Sequence, residues 1–251
     1  MKTKIKTEAL IIKEQKVKEN DRLITLLTKD KGILKAFAGG ALKLSSKHHA
    51  ATGFLTYSSV LLVQSKDTYR VTESEPINLF YDLRNSIETL SLAGYFCELA
   101  VFLAPTEEDA EVYLRLLLNA FHLLCEKKRS IHLVKAVTEL RMASLHGYMP
   151  DLQECNNCGE FKDVKMNLHL LEGNILCDNC TNGERIKLSE GLLAALRHII
   201  YADDNKIFSF SLSDEGLKAL SDITEMYIKT QIGRHFDTLD FFKSVMSNYT
   251  T

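Results

Sequence analysis

Leu23-Ile24-Thr25-Leu26-Leu27-Thr28-Lys29-Asp30-Lys31-Gly32-Ile33-Leu34-Lys35-Ala36-Phe37-Ala38 places two β-prone runs either side of a compact Asp-Lys-Gly turn signal. Runs of this composition bounded by Asp and Gly read as paired strands, here 23–28 and 33–38. Working outward, Glu8-Ala9-Leu10-Ile11-Ile12 precedes the pair; Gly53 to Val63 and Tyr69-Arg70-Val71-Thr72-Glu73 follow it. Ser65-Lys66-Asp67 supplies a second hairpin turn between the last two. Five short strands before residue 80 suit a small closed barrel, and the five-stranded OB-type barrel is the commonest of that size. Closure also removes the exposed sheet edges that so short a sheet would otherwise carry.

Past residue 80 the hydrophobic period changes from two to 3.6. Asp82 stands as N-cap of a first helix with Leu83, Ile87, Leu90 and Leu99 on one face, ending near Ala104-Pro105 because the residue before proline disfavours helical backbone. Thr106-Glu107-Glu108-Asp109 has the hydroxyl and first-turn acids that open a second helix, through Leu124. Ser130 caps a third that runs to His146 and stops at Gly147. Ser189-Glu190 opens a helix over 191–201, Ser213-Asp214-Glu215 another to about Gln231, and a last amphipathic stretch spans about 237–247. The fold class is therefore multidomain α+β: an OB-type barrel over 1–80, then an all-α body over 81–251.

One segment of that body breaks the helical pattern. Cys155-Asn156-Asn157-Cys158 and Cys177-Asp178-Asn179-Cys180 stand eighteen residues apart. This is the spacing of a four-thiolate zinc site, because each CxxC turn offers two convergent sulfurs to one metal. Gly159 after one pair and Gly173-Asn174 before the other suit two tight knuckles joined by a hairpin, a zinc-binding insertion at about 150–186. Two disulfides or four unrelated core cysteines are the alternatives. Cys97 and Cys125 sit singly in apolar helical patterns, so paired cysteines are not a habit of this chain. One structural zinc with four thiolates leaves no open coordination position for catalysis.

Composition bounds the function. The 251 residues carry a net charge of −2, but residues 1–80 hold 14 Lys+Arg against 8 Asp+Glu, and the rest 17 against 25. A basic module on an acidic body suits a polyanionic partner; a solvated lysine-rich face is the bland alternative. Gly39-Gly40-Ala41-Leu42-Lys43-Leu44-Ser45-Ser46-Lys47-His48-His49 joins lysines, hydroxyls and histidines with almost no acid nearby. Lys43, Lys47 and His48, with Arg22 and Lys35 flanking in sequence, are the candidate DNA-binding residues, since such groups grip phosphate without reading bases. An ordinary surface loop has the same composition. Phe54 and Tyr57 have the ring faces to stack on bases, and equally the size to fill a core. No apolar stretch has the length of a membrane span, the N-terminus lacks the apolar core of a signal peptide, and thiolate ligands suit a reducing compartment. His122, His132, His146 and His198 lie singly in helical stretches, and no P-loop, GxSxG or HExxH occurs, so binding rather than catalysis is expected.

The order of parts resembles the RecO family of DNA recombination and repair proteins. The resemblance is carried by Glu19-Asn20-Asp21-Arg22-Leu23-Ile24-Thr25-Leu26-Leu27-Thr28 with Gly32, by Gly39-Gly40-Ala41 to Ser45-Ser46-Lys47, and by Glu139-Leu140-Arg141-Met142 to His146-Gly147-Tyr148-Met149-Pro150-Asp151-Leu152 leading into Cys155. It departs at Leu42-Lys43, where the family commonly has two adjacent basic residues, and at Thr238-Leu239-Asp240, where a basic run is common. The resemblance implies a cytoplasmic, nucleoid-associated bacterial mediator that binds single- and double-stranded DNA and anneals complementary strands. It also implies pairing with RecR, engagement of the acidic C-terminal tail of the single-strand-binding protein, and assistance in RecA loading. A tail peptide would need a cationic rim, for which Arg115, Lys135, Arg141 and Arg197 are available in helical stretches, Arg141 reading better as the structural partner of an acid. The competing function is a zinc-ribbon nucleic-acid-binding or transcription scaffold protein. Against it, Lys162, Lys165 and His169 are offset by Glu160, Asp163 and Glu172 between the cysteine pairs.

Overall fold

The computed structural model describes residues 4–65, 68–161 and 165–248. Lys66 and Asp67 of the turn read after Ser65, and Lys162 and Asp163 of the cysteine segment, fall outside the described residues. Two compact units emerge, Met1–Cys125 with Phe236–Thr251, and Glu126–His235.

In the first unit β1 (Lys4–Val17), β2 (Asp21–Thr28), β3 (Gly32–Ala38), β4 (Tyr57–Ser65) and β5 (Thr68–Asn78) close a barrel in the order β1-β2-β3-β5-β4. β1 pairs with β4 to close it, and β3–β5 is the parallel contact. Period-two alternation sends Ala9, Ile11, Ile24, Leu26, Leu34, Ala36, Val60 and Leu62 inward. β1 runs well beyond the expected 8–12 because a bulge between Ile11 and Lys13 resets its phase. Leu10 on the outer face and the bulged Ile12 are buried, and α1 packs on this strand; after the bulge Lys13 faces water. β4 starts at Tyr57 and not at Gly53. Leu55 holds a left-handed φ of 65°, and Thr56 N–H bonds Gly53 O, so 53–56 is turn.

Gly32 opens β3 at φ +57°, and a Cβ there would lie 2.0 Å from the Pro105 carbonyl oxygen. That close approach explains why the second helix does not begin at Thr106. Thr106 bridges Gly32, Glu107 takes a left-handed φ of 62°, and the N–H groups of Glu107 and Ala110 bond Lys31 O and Lys29 O. The segment is committed to the β2–β3 turn. α2 (Glu111–Glu126) starts after it, Asp109 Oδ1 accepting from Glu111 N–H at 3.1 Å. Asp82 likewise belongs to a 3₁₀ turn over Tyr81–Asn85; α1 (Ile87–Leu103) begins one step later, where Ser86 Oγ accepts from Thr89 N–H. It ends at Ala104, before Pro105, as expected. α6 (Asp237–Asn248) packs on α1, with Phe236 edge-on to Tyr95 and Glu98 accepting from Thr238 N–H and Oγ1. The acids at 237 and 240 occupy its first turn, where the helix dipole favours them.

In the second unit α3 (Ile131–His146), α4 (Glu190–Tyr201) and α5 (Asp214–Ile232) form one core, and β6 (Met166–His169), β7 (Asn174–Cys177) and β8 (Ile186–Leu188) a small antiparallel sheet ordered β7-β6-β8. Ser189 and Ser213 cap their helices through Leu192 and Gly216 N–H, and Gly147 ends α3 at φ 107°. No helix among the described residues is long and apolar enough to cross a membrane.

Candidate metal centre and nucleic-acid surface

The β6–β7 hairpin carries Cys177 at its end, and the chain returning from α3 lays Cys155 and Cys158 beside it. Asn156 N–H bonds Ile175 O at 2.9 Å, fixing the first knuckle to the hairpin. The four thiol sulfurs of Cys155, Cys158, Cys177 and Cys180 lie within 4.8 Å of one another. Cys158 Sγ stands 3.8 Å from Cys177 Sγ. Tetrahedral thiolates at a metal–sulfur distance of about 2.3 Å stand roughly 3.8 Å apart, so the donor set fits one metal ion. All four cysteines are free, which removes the disulfide alternative.

Donors also converge on the sulfurs. Cys177 N–H reaches Cys155 Sγ at 3.3 Å, and Asn157 Nδ2 reaches Cys180 Sγ at 3.3 Å. Burial raises the Cys155 thiol, but N–H groups of Cys177, Cys158 and Asn157 outweigh it and bring it down to about 6. Such donors stabilise thiolate, the form that ligates metal. Behind the knuckles, buried Asn167 Nδ2 donates to Leu176 O and Asp178 Oδ1, and His169 Nε2 pairs with Thr181 Oγ1 at 2.8 Å. The sulfurs are thus held from two sides.

The candidate DNA-binding residues occupy the first unit. Arg22, 8 % exposed, turns inward: Nη1 donates to His49 O at 2.7 Å and Thr52 Oγ1 at 3.2 Å, and Nε lies 3.6 Å from Glu14 Oε2. Its guanidinium shapes the β3–β4 loop. His48 Nδ1 pairs with Ser74 Oγ at 2.7 Å, and burial, then the Lys47 charge, hold its imidazole below the usual value. Near pH 7 this ring is a neutral anchor. Lys35, Lys43 and Lys47 are exposed. Phe54 and Tyr57 are half-buried, the phenol of Tyr57 donating to Glu8.

Barrel registry adds residues that sequence reasoning passed over. Lys13 faces Thr25 across β1–β2, and Thr25 faces Lys35 across β2–β3. One step along, Gln15, Leu23 and Phe37 form the next outward row, and β5 lays the Arg70 guanidinium over the Phe37 ring at 5.9 Å. Exposed Lys13, Lys35 and Arg70 therefore share an outer face with half-buried Leu23 and Phe37. Lys35 alternates with the core residues Leu34 and Ala36 and was legible, whereas the bulge after Ile11 breaks the alternation at Lys13.

The family model described as Recombination protein O N terminal matches residues 1–80, and that described as Recombination protein O C terminal matches residues 84–240. The chain belongs to the RecO family. "DNA repair protein RecO" of Acetivibrio thermocellus is 32% identical over 243 residues, spanning 96% of this chain and 97% of that protein. Its namesake from Dehalococcoides mccartyi is 32% identical over 217 residues, 86% of this chain and 85% of its own, and that from Clostridium novyi 27% over 237 residues, 94% and 93%. The barrel, α1 to α5 and the cysteine segment thus lie within the residues matched by the two RecO family models.

Three of the four helical cations read for a peptide rim are engaged within the second unit of this RecO-family chain. Lys135 is 2 % exposed, inside the α3–α5 core. Arg141 donates to Ile200 O and Asp204 Oδ1, both at 2.6 Å, the acid-partner role expected of it. Arg197 donates to Leu152 O and Gln153 O, tying α4 to the chain before Cys155. Arg115 stays exposed on α2.

Proposed function

We propose that this chain is a recombination mediator: it holds single- and double-stranded DNA on its barrel domain by the sugar-phosphate backbone, anneals complementary strands, and helps load RecA on DNA coated with single-strand-binding protein. The observation that carries the reading is the set of exposed cations Lys13, Lys35, Lys43, Lys47 and Arg70 on one barrel face and its adjoining loop, a loop with no Asp or Glu from Gly39 to Thr56. Arg22 and His48 act behind them, as loop anchors. RecR and the acidic tail of the single-strand-binding protein are the protein partners that family membership supports, and the cytoplasm the compartment. The work is binding and pairing, with no bond made or broken. Cys155, Cys158, Cys177 and Cys180 hold one zinc, whose role is to fold the second unit's small sheet.

Binding through the DNA backbone predicts weak sequence dependence and strong salt dependence. Removing one phosphate-neutralising cation flattens the log–log salt slope by about 0.9 on duplex and about 0.7 on single strands. Lys43→Glu with Lys47→Glu is expected to weaken binding to both forms on the order of tenfold or more at low salt and to flatten both slopes. Anisotropy titrations across a salt series measure this; unchanged affinity and slope would take the loop out of the DNA track. Strand annealing with and without single-strand-binding protein tests the activity itself.

A further inference from the structure

Leu44 is 89 % exposed, the most exposed large hydrophobic among the described residues. On a slack loop this would mean little, since single apolar side chains in water are ordinary. The β3–β4 loop is not built slackly. Its backbone folds as successive turns, with Lys43 N–H on Gly40 O, Ser46 N–H on Lys43 O and His49 N–H on Ser46 O. Gly40 N–H is held by Asp21 Oδ1 at 2.7 Å and Leu42 N–H by Asn20 O at 2.9 Å, tying its start to the β1–β2 turn. Its far side is held by Arg22 on His49 O, and His49 Nδ1 pairs with Ala41 O at 3.0 Å, joining the two sides. Leu42 is half-buried and Leu55 fully buried, so the loop buries its other leucines and presents this one.

We propose that Leu44 is an apolar wedge that enters the base stack of bound DNA. This rests on the DNA-binding reading above and adds what the loop does once there. Lys43 and Lys47, both exposed, stand on either side of Leu44 in sequence. Cations that grip phosphate bring an apolar side chain between them against the bases. Leucine is among the residues that architectural proteins insert between base steps, separating the stack. The absence of acid along the loop favours a polyanion, and a single protruding leucine suits a base stack, whereas an acidic peptide would need a groove with apolar walls. For a strand-annealing protein, the wedge loosens stacking locally and leaves base edges free to find a complement.

The test uses the full chain with oligonucleotides carrying 2-aminopurine, whose fluorescence rises on unstacking, at successive positions within the bound site. The wild-type protein is expected to brighten the probe several-fold at one or two adjacent positions. Leu44→Ala should abolish that brightening and weaken binding about three- to thirtyfold with an unchanged salt slope, because the lysines remain; Leu44→Met should retain most of it. At 89 % exposure the substitution should not move the melting temperature. Brightening and affinity untouched in Leu44→Ala would overturn the wedge and leave DNA binding standing. So would intact DNA signals with loss of RecR binding, which would make Leu44 a protein contact. A wild-type protein that does not bind DNA would bring down the underlying reading and the wedge with it.

Discussion

Cys177→Ser is expected to abolish stoichiometric zinc binding and to unfold the segment from about residue 150 to β8, while leaving the barrel folded. The three strands of this segment are four, four and three residues long, too short to persist unsupported. Their buried apolar set is small: Met166, Leu168, Ile175 and Leu188, with Leu152. Structural zinc contributes about 10–16 kcal/mol of apparent binding free energy to such sites, far more than this sheet can gain by burial. Cys177 is the sharpest position to change because it is buried, ends β7, and donates its N–H to Cys155 Sγ as well as its own sulfur. Elemental analysis of protein purified without chelator should give one zinc per chain for wild type and well under one for the variant. Hydrogen exchange should show amide protection lost in β6 and β7 and kept in β1–β5. DNA affinity should change little, since the proposed contacts lie in the other unit. Wild-type protein with no stoichiometric metal would refute the assignment.

Where the sequence was legible, a local rule and the tertiary structure agreed. Ile24 and Leu26 alternate with Thr25 because one face of β2 fills the barrel, so period two survived into the fold. The cysteines were legible because metal chelation fixes spacing within a turn. Ser189 and Ser213 cap where their hydroxyls predicted. The failures share a cause: a partner distant in sequence. Thr106 has an N-cap's local chemistry, yet its segment is taken by the β2–β3 turn some seventy residues earlier, as the Gly32–Thr106 bridge shows. Arg22 looked like a phosphate contact, and only the folded loop reveals that His49 and Thr52 occupy its guanidinium. Lys13 and Arg70 escaped notice because a bulge and the parallel β3–β5 pairing bring them beside Lys35 and Phe37.

Lys135 joins Glu139, one helical turn away, to Glu225 and Ser221 far along the chain, and its replacement by Met is expected to destabilise the second unit by about 3–5 kcal/mol, the cost of removing one partner from a buried ion pair. Its ammonium lies 2.9 Å from Glu139 Oε1 and 3.2 Å from Glu225 Oε2, and donates to Ser221 O at 3.2 Å. Glu139 is 0 % exposed and also accepts from Thr224 Oγ1 at 2.7 Å; Glu225 is shared with Lys229 at 3.1 Å. Methionine fills the same stem volume, so packing is largely kept and the loss is electrostatic. What remains is a carboxylate in the α3–α5 core that has lost the Lys135 ammonium. Adding Glu139→Gln should therefore recover part of the loss, because the neutral amide no longer needs the ammonium. The two changes should be strongly non-additive. Urea denaturation of wild type, both single variants and the double variant measures the coupling. A Lys135→Met protein within about 1 kcal/mol of wild type would show that the network is dispensable, as some buried ion pairs are once packing replaces them.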